Sequence, residues 1–242
     1  MASTAPAARP IPGHERLHLI LMLALTFSTG IIDAVGYLGL DRVFTGNMTG
    51  NVVILGMGLL GADHLPVVGP VVALAGFMAG AAVAGRALRP IADGWTARST
   101  TLFGVVGAIL AAAAVTLAPF GGHVPLALQY AATGALGLAM GMQAGTARHI
   151  AVKDVTTVVV TSTITALASD SILGGGKGQV WKRRAAAVVL IGLGALTGAA
   201  ALHVQIGLGL GIAGAIALAV AGIGHVRAPR AEAEAEEEAP GA

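Results

Sequence analysis

The sequence predicts an all-α membrane protein with six spanning helices and two re-entrant half-helices, arranged as an inverted 3+3 repeat. Three observations predict this fold: an apolar composition, a series of apolar segments of bilayer length, and an internal repeat. Of the 242 residues, 55% are hydrophobic and only 11% are charged, whereas a soluble domain carries roughly 25% charged residues. We therefore expect most of the chain to contact the lipid bilayer.

Eight apolar segments lie between a Pro/Ala-rich tail, residues 1–13, and an acidic tail, residues 228–242, and both tails are predicted to be disordered. A spanning helix needs about 20 mostly apolar residues. We expect the first segment to be retained rather than cleaved, because no small-residue cleavage site follows it. Six segments are predicted to span: 17–40, 64–85, 99–119, 124–147, 185–202 and 206–226.

Two other segments, 43–62 and 155–172, are too polar in part to span comfortably. The first begins VFTGNMTGN, and the second, VTTVVVTSTITALASDSI, carries five Thr and three Ser. Each is predicted to be an extended polar stretch followed by a half-length helix. Irregular backbone at membrane depth is tolerated where protein buries it or water lines it.

An internal repeat relates these two segments and their surroundings. The aligned parts are Thr49-Gly50-Asn51 with Thr161-Ser162-Thr163, residues 40–44 with 152–156, and residues 76–82 with 194–200. The last pair has small residues four apart in both halves, which is typical of close helix packing. The alignment predicts two membrane repeats, residues 14–121 and 122–227.

Loop Lys and Arg residues distinguish six spans from eight. With eight spans, the two sides would hold 8 and 6 of these residues; with six, 13 lie inside and Arg42 alone lies outside. Because cytoplasmic loops carry the excess of Lys and Arg, we predict six spans in the cytoplasmic (inner) membrane and both termini in the cytoplasm. Three spans per repeat give the halves opposite orientations, with the half-helices meeting near the midplane at a polar cavity.

The polar stretches supply most of the candidate residues for a substrate or permeant path. If Thr49 or Gly50 caps a half-helix, its free N–H groups favour an anion or a polar carbonyl group. The alternative is that these side chains only cap helices and bond to neighbouring helices. The candidates are Thr45, Asn47, Thr49, Gly50 and Asn51 in the first half, and Thr157, Thr161, Ser162 and Thr163 in the second.

Asp33 lies within the first apolar segment, where a carboxylate is costly and usually faces a cavity or a partner. It is a candidate coupling site for a proton or cation. The alternatives are an ion pair with Arg86 or Arg148, or a position shallow enough to reach water. Gln143, in the second half, is its neutral polar analogue, and either bonds to a neighbouring helix or lines the path.

Several kinds of site are not expected. The seven His residues form no His-x-x-x-His pair, so no metal is predicted. The loop 173–179, LGGGKGQ, lacks the leading Gly and the Ser/Thr of a phosphate loop, so no nucleotide or other cofactor is predicted. No set of Ser, His and Asp or pair of carboxylates suggests an enzyme. No basic patch with interleaved aromatics suggests nucleic-acid binding.

Two motifs carry a family resemblance. Asp33-Ala34 followed by VFTGNMTGN at 43–51, and Met140-Gly141-Met142-Gln143 followed by the Thr-rich segment, resemble the YoaK-type family. The resemblance covers roughly residues 16–226. Ala144 and Ser162 stand where that family commonly has Asn and Gly. The resemblance implies a multi-pass bacterial inner-membrane protein and supplies no established substrate.

Three functions remain open at this point. The leading hypothesis is a secondary transporter of a small polar or anionic solute, with the site at the repeat interface and Asp33 as its coupling carboxylate. A passive channel with the half-helices as its filter is the main alternative. The third is a non-transporting membrane scaffold that uses the acidic tail to bind a partner. The sequence leaves open whether the chain forms a homo-oligomer.

Overall fold

The computed structural model describes residues 12–89, 94–121, 123–150, 160–171 and 181–237. Predictions for the start of the N-terminal tail, for Thr157 and for the glycine-rich loop 173–179 fall outside these residues. Within them, all repeating secondary structure is helical, which confirms the all-α class. The helices are α1 Pro12–Gly39, α2 Met48–Gly58, α3 Val68–Leu88, α4 Ala97–Leu117, α5 Leu126–Ile150, α6 Val160–Ser169, α7 Trp181–Leu202 and α8 Ile206–Glu237, with 3₁₀ turns at Ala62–His64 and Ala118–Phe120.

The long helices coincide with the six segments predicted to span. Five of the described helices, α1, α3, α4, α7 and α8, are long and apolar enough to cross a membrane. The sixth, α5, has 25 residues but carries Gln129, Gln143 and, in its last turn, Arg148 and His149. It contacts α1, α3 and α4, so part of its polar surface faces protein. Helix α8 continues beyond Arg227 to Glu237, into the segment assigned to the acidic tail.

Helices α2 and α6 are the half-length helices that the polar stretches predicted. They have 11 and 10 residues, and at 1.5 Å per residue neither exceeds about 17 Å, against a hydrocarbon core of about 30 Å. Helix α2 packs on α3, and α6 packs on α7. The described residues show no contact between α2 and α6, so the predicted meeting of the two half-helices is not seen there.

Helices α1 and α7 run parallel and in close contact. A Cβ on Gly194 would collide with the backbone oxygen of Phe27, and a Cβ on Gly198 would lie 2.5 Å from that of Ile31. Since the residue numbers of both helices increase in the same direction along the interface, the helices are parallel. The small residues at 194 and 198 allow this approach, as the sequence predicted.

Helices α3 and α5 form a second parallel pair of the same kind. A Cβ on Gly76 would lie 2.5 Å from the backbone oxygen of Gly134, and a Cβ on Gly80 would collide with that of Leu138. The two aligned small-residue motifs therefore serve equivalent interfaces. Each interface joins a helix from the first half of the chain to one from the second.

Helix α8 runs antiparallel to both α4 and α1. Gly207 of α8 lies against Ala114 of α4, and Leu218 of α8 lies against Gly107 of α4. The residue numbers of the two helices therefore increase in opposite directions. The order along α1 is likewise reversed, with Ser28 opposite Ala213 and Val35 opposite Gly209. The apolar core lies between these helices and α5, and its largest fully buried side chains include Met22, Leu25, Phe103, Leu110, Leu136 and Leu210.

One end of the bundle is marked by Trp95, which lies just before α4. Its ring stacks on that of His18 near the start of α1, with centroids 5.9 Å apart, and contacts Gly224 near the end of the apolar part of α8. Arg98 donates to the Ala87 carbonyl at 2.8 Å, so α3 ends and α4 begins here. We call this the Trp95 end.

The opposite end holds the segments that flank α2. Val43 and Asp41, which follow α1, lie against Gly69 at the start of α3. Gln205, between α7 and α8, donates to the Ala118 carbonyl at 2.7 Å. The chain therefore leaves α1 and begins α3 at the same end of the bundle.

Candidate functional site

Asp33 is held by the backbone that leads into α2. Its Oδ1 accepts hydrogen bonds from the backbone N–H groups of Thr45, Gly46 and Asn47, at 3.0, 2.7 and 3.4 Å. Bonds to an ionised acceptor are shorter and roughly twice as strong as neutral ones. Asp33 forms no ion pair with Arg86 or Arg148 in the described residues, so the predicted ion-pair alternative is wrong.

Asn51 fixes the fold of this loop. Its Oδ1 accepts from the backbone N–H of Phe44 at 2.9 Å, and its Nδ2 donates to the Phe44 carbonyl at 2.6 Å. Asn51 is fully buried, so both of its main-chain bonds are shielded from water. A side chain predicted to line the path thus clamps the loop that carries the Asp33 donors.

Asn47, and not Thr49 or Gly50, caps α2. Its Oδ1 accepts from the backbone N–H of Gly50 at 3.1 Å, and the helix begins at Met48. Thr49 is exposed, and a Cβ on Gly50 would lie 2.7 Å from the Phe44 ring. The cap considered at Thr49 or Gly50 does not form because both residues fall within the first helical turn, and Gly50 has no side chain that could accept an N–H.

The positive end of α2 already has an anion. Asp33 takes the N–H of Asn47, and the Asn47 side chain takes that of Gly50. A helix N-terminus attracts negative charge through these free N–H groups and through its dipole. The acceptor expected at this helix end, an anion or a polar carbonyl group, is here provided by side chains of the chain itself, and an ionised Asp33 disfavours a second anion beside it.

A central polar cluster extends from Asp33 towards α5. A Cβ on Gly46 would lie 3.4 Å from Asp33 Oδ1 and 3.1 Å from the Thr29 methyl group. Thr29 Oγ1 in turn accepts from Gln143 Nε2 at 3.0 Å. Asp33, Thr45, Gly46, Thr29 and Gln143 make up this central polar cluster, which joins α1, α5 and the loop before α2.

Two atoms of the central polar cluster lack hydrogen-bond partners. Thr45 Oγ1 and Gln143 Oε1 are buried and have no partner among the described residues. Leaving a buried polar group unpaired costs about 1–3 kcal/mol, and such groups are rare enough to call for an explanation.

Thr29 is the member that sequence reasoning missed. It lies four residues before Asp33, so both side chains project from the same face of α1. Its hydroxyl also donates to the Leu25 carbonyl at 2.9 Å, as helical threonines commonly do. The spacing to Asp33 is the available sequence signal for Thr29, and it is weak because threonines are common in membrane helices.

The second-half candidates lie apart from this cluster. Thr163 is buried in α6, whereas Thr161 and Ser162 are exposed, and α6 packs on α7 alone among the described helices. Arg184 of α7 donates to the Ala166 carbonyl at 2.9 Å and to Asp170 Oδ2 at 2.6 Å. These bonds hold the C-terminal end of α6 on α7.

A groove of about 600 Å³ opens beside Asp33, between α1 and α7. Its walls are almost entirely apolar, and Phe44 closes one side. No hydrogen bond to Asp33 Oδ2 is present within the described residues, in contrast to the three on Oδ1. Asp33 thus belongs to the central polar cluster and also lines the groove.

Comparison with known proteins places these residues within a family. The profile of the family described as "Protein of unknown function (DUF1275)" matches residues 21–223. The "UPF0700 transmembrane protein YoaK" of Bacillus subtilis (strain 168) is 29% identical over 154 residues, which is 62% of this chain and 65% of that relative. The matched region thus spans just under two thirds of the relative's length. No solved structure matches the chain.

Proposed function

The chain belongs to the DUF1275 family of membrane proteins of unknown function, as the YoaK-type motifs predicted, and we propose that it is a secondary transporter of a small polar solute. The observation that carries this proposal is Asp33. A carboxylate in a spanning helix marks a functional site by default, and this one lies where a half-length helix begins. Transporter sites are commonly built from such interrupted helices.

Alternating access needs two halves that can exchange roles, and the helix contacts support an inverted repeat. Suppose that α1, α2, α3 and α4 exchange in order with α5, α6, α7 and α8. The α3–α5 contact then becomes α7–α1, the α4–α5 contact becomes α8–α1, and the α2–α3 contact becomes α6–α7, and all of these contacts are present. The α4–α8 pair corresponds to itself. This is the pattern expected when a two-fold axis exchanges α1–α4 with α5–α8.

Helix directions support the inversion. Helix α1 runs antiparallel to α8, and α8 runs antiparallel to α4, so α1 and α4 point the same way. Helices α3 and α4 meet at the Trp95 end and run antiparallel, and α5 is parallel to α3. Helix α5 is therefore antiparallel to α1, its counterpart, as an inverted 3+3 repeat requires.

The six-span topology is part of the same proposal. Helix α2 is too short to cross, and the residues before and after it lie at one end of the bundle. Helices α1, α3, α4, α5, α7 and α8 then span, and the Trp95 end faces the cytoplasm because most of the described Lys and Arg residues lie there, among them Arg86, Arg98 and Arg227. Both termini are cytoplasmic in this arrangement.

Charge on Asp33 provides a means of coupling. While ionised, Asp33 holds the backbone of residues 45–47 through three charge-assisted bonds. A proton or cation on the carboxylate weakens these bonds and frees the loop that covers the central polar cluster. Occupancy of Asp33 and opening of the loop are then linked, and the linkage acts equally in both directions. Because Asp33 repels a second anion, we favour a neutral or cationic solute.

The test is proton-coupled flux in liposomes that contain the full chain and a trapped pH indicator. A panel of small polar neutral and cationic solutes is added, with and without an imposed pH gradient. We expect at least one solute to move protons in the wild type, and Asp33→Asn to abolish that movement. Asp41→Asn is the control, because Asp41 lies beyond the end of α1 and should leave flux unchanged.

The other outcomes identify the alternatives. Solute flux that runs only downhill and ignores the pH gradient indicates a channel. Asp33→Asn flux equal to the wild-type value removes Asp33 from the mechanism. The absence of flux for every solute, together with a protein that copurifies in fixed ratio, indicates a scaffold.

A further inference from the structure

The groove beside Asp33 opens towards lipid. Its rim includes Leu38 of α1 and Leu196 of α7, residues that are 63% and 66% exposed. Large apolar side chains exposed on two membrane helices face acyl chains in a bilayer. A ligand can therefore reach the groove sideways from the bilayer, without passing through the central polar cluster.

The chemistry of the groove is that of a site for a cation. Asp33 is its acidic residue, and the described residues that line it include no Lys or Arg. Tyr37 and Phe44, which also line it, stack with ring centroids 4.8 Å apart. Aromatic faces attract cations, most strongly where water is excluded, and a carboxylate in an apolar setting is costly unless it is paired.

The rest of the lining suits an apolar body. Gly30, Ile191 and Ala195 are among the residues that form the walls, so the groove offers an apolar ligand contacts like those of lipid acyl chains. We propose that the groove binds an amphiphilic organic cation, with its charged group on Asp33 and its apolar part between α1 and α7. This rests on the proposed function, since it names the solute that exchanges with a proton at Asp33.

The exchange involves no covalent change in the ligand. A proton leaves Asp33 Oδ2 for water when the cation arrives, and one returns when the cation departs. The backbone donors of residues 45–47 all bond to Oδ1, so the exchange takes place at Oδ2. Cation and proton therefore compete for one oxygen, and raising the proton concentration should lower the apparent affinity for the cation.

Gly192 offers a way to fill the groove without disturbing the fold. It lines the groove, and a Cβ at this position would meet none of the described residues within 4 Å. Gly192→Trp places an indole in the space proposed for the apolar part of the ligand. Gly104→Trp in α4 is the matched control, because a Cβ there also meets nothing within 4 Å and Gly104 lies outside the groove.

The experiment measures binding of radiolabelled tetraphenylphosphonium to the full chain in phosphatidylcholine nanodiscs, with empty nanodiscs subtracted. We expect saturable binding, displaced by dodecyltrimethylammonium at least tenfold more effectively than by dodecanol. Asp33→Asn and Gly192→Trp should each weaken the affinity at least tenfold, and Gly104→Trp should leave it unchanged.

Three results would overturn the inference: no saturable binding in the wild type, equal displacement by dodecanol, which indicates a site for lipid chains, or wild-type affinity in either Asp33→Asn or Gly192→Trp. The proposed function is tested separately. Cation binding as expected, without proton-coupled flux, refutes transport and leaves the site intact. Asp33-dependent flux of another solute that persists in Gly192→Trp, without saturable cation binding, refutes the site and leaves transport intact.

Discussion

Gly198 lies where α7 crosses α1, and replacing it with alanine tests the parallel pair directly. A Cβ at this position would lie 2.5 Å from the Ile31 oxygen, 3.0 Å from the Ile31 Cα and 3.1 Å from the Ala34 Cβ. All three are rigid atoms of α1. Since ordinary contacts of a Cβ begin near 3.4 Å, the helices must separate by nearly 1 Å to accept the methyl group.

Gly192→Ala is the matched control, six residues earlier on the same helix and in open space. Both substitutions replace a helical glycine, and each therefore gains about 0.5–1 kcal/mol from the reduced freedom of the unfolded chain. This gain cancels between the two variants. Overpacking a close contact costs about 1–3 kcal/mol, so Gly198→Ala should be less stable than Gly192→Ala by that amount.

The assay is thermal unfolding of the detergent-solubilised full chain, followed by the intrinsic fluorescence of Trp95 and Trp181. For a chain of this size each kcal/mol shifts Tm by about 2–4 °C, so we expect the two variants to differ by about 2–12 °C. A Tm for Gly198→Ala equal to or above that of Gly192→Ala would refute the close approach of α1 and α7.

Two further predictions concern topology and the attachment of α6. Because the chain has no Cys, single cysteines at the exposed positions Ala97 and Ala62 can be labelled with an impermeant maleimide. We expect Ala62→Cys to react in intact cells and Ala97→Cys only after lysis, whereas reaction of both in intact cells contradicts the six-span topology. The hydrogen bond from Arg184 holds the pKa of Asp170 in the folded protein below its usual value of 3.8. The pair therefore stabilises the fold fully above pH 3.8, and this stabilisation is lost as the pH falls through the lower pKa of the folded state. The Tm difference between wild type and Asp170→Asn should stay constant from neutral pH to about 4 and shrink below it; a decline that begins near pH 6 would show that another group titrates.

The helices were predictable from sequence because apolar runs of bilayer length have few other stable forms. The half-length of α2 was also predictable, since polar residues occupy the first part of segment 43–62. The start of α2 at Met48 was not, because Asn47, Thr49 and Gly50 are all acceptable near a helix N-terminus. In the structure the Asn47 side chain accepts the Gly50 N–H, and sequence alone does not show this.

Asp33 was predictable as a candidate because a carboxylate inside an apolar segment is conspicuous. Its partners were not, since backbone N–H groups belong to every residue and leave no mark in the sequence. The link from Thr29 to Gln143 joins residues 114 positions apart, and only the fold brings them together. The separation of α6 from the central polar cluster was likewise invisible to an alignment of the two halves.

The two glycine-lined interfaces described above each join one half of the chain to the other, and this has a consequence for biogenesis. When α4 leaves the ribosome, neither α1 nor α3 has met the helix on which it packs most closely, because α5 and α7 are not yet made. Until then, the small-residue faces of α1 and α3 contact lipid and not the helices on which they pack in the folded protein. Membrane insertion can proceed helix by helix, but assembly of the core cannot finish until α7 has been synthesised.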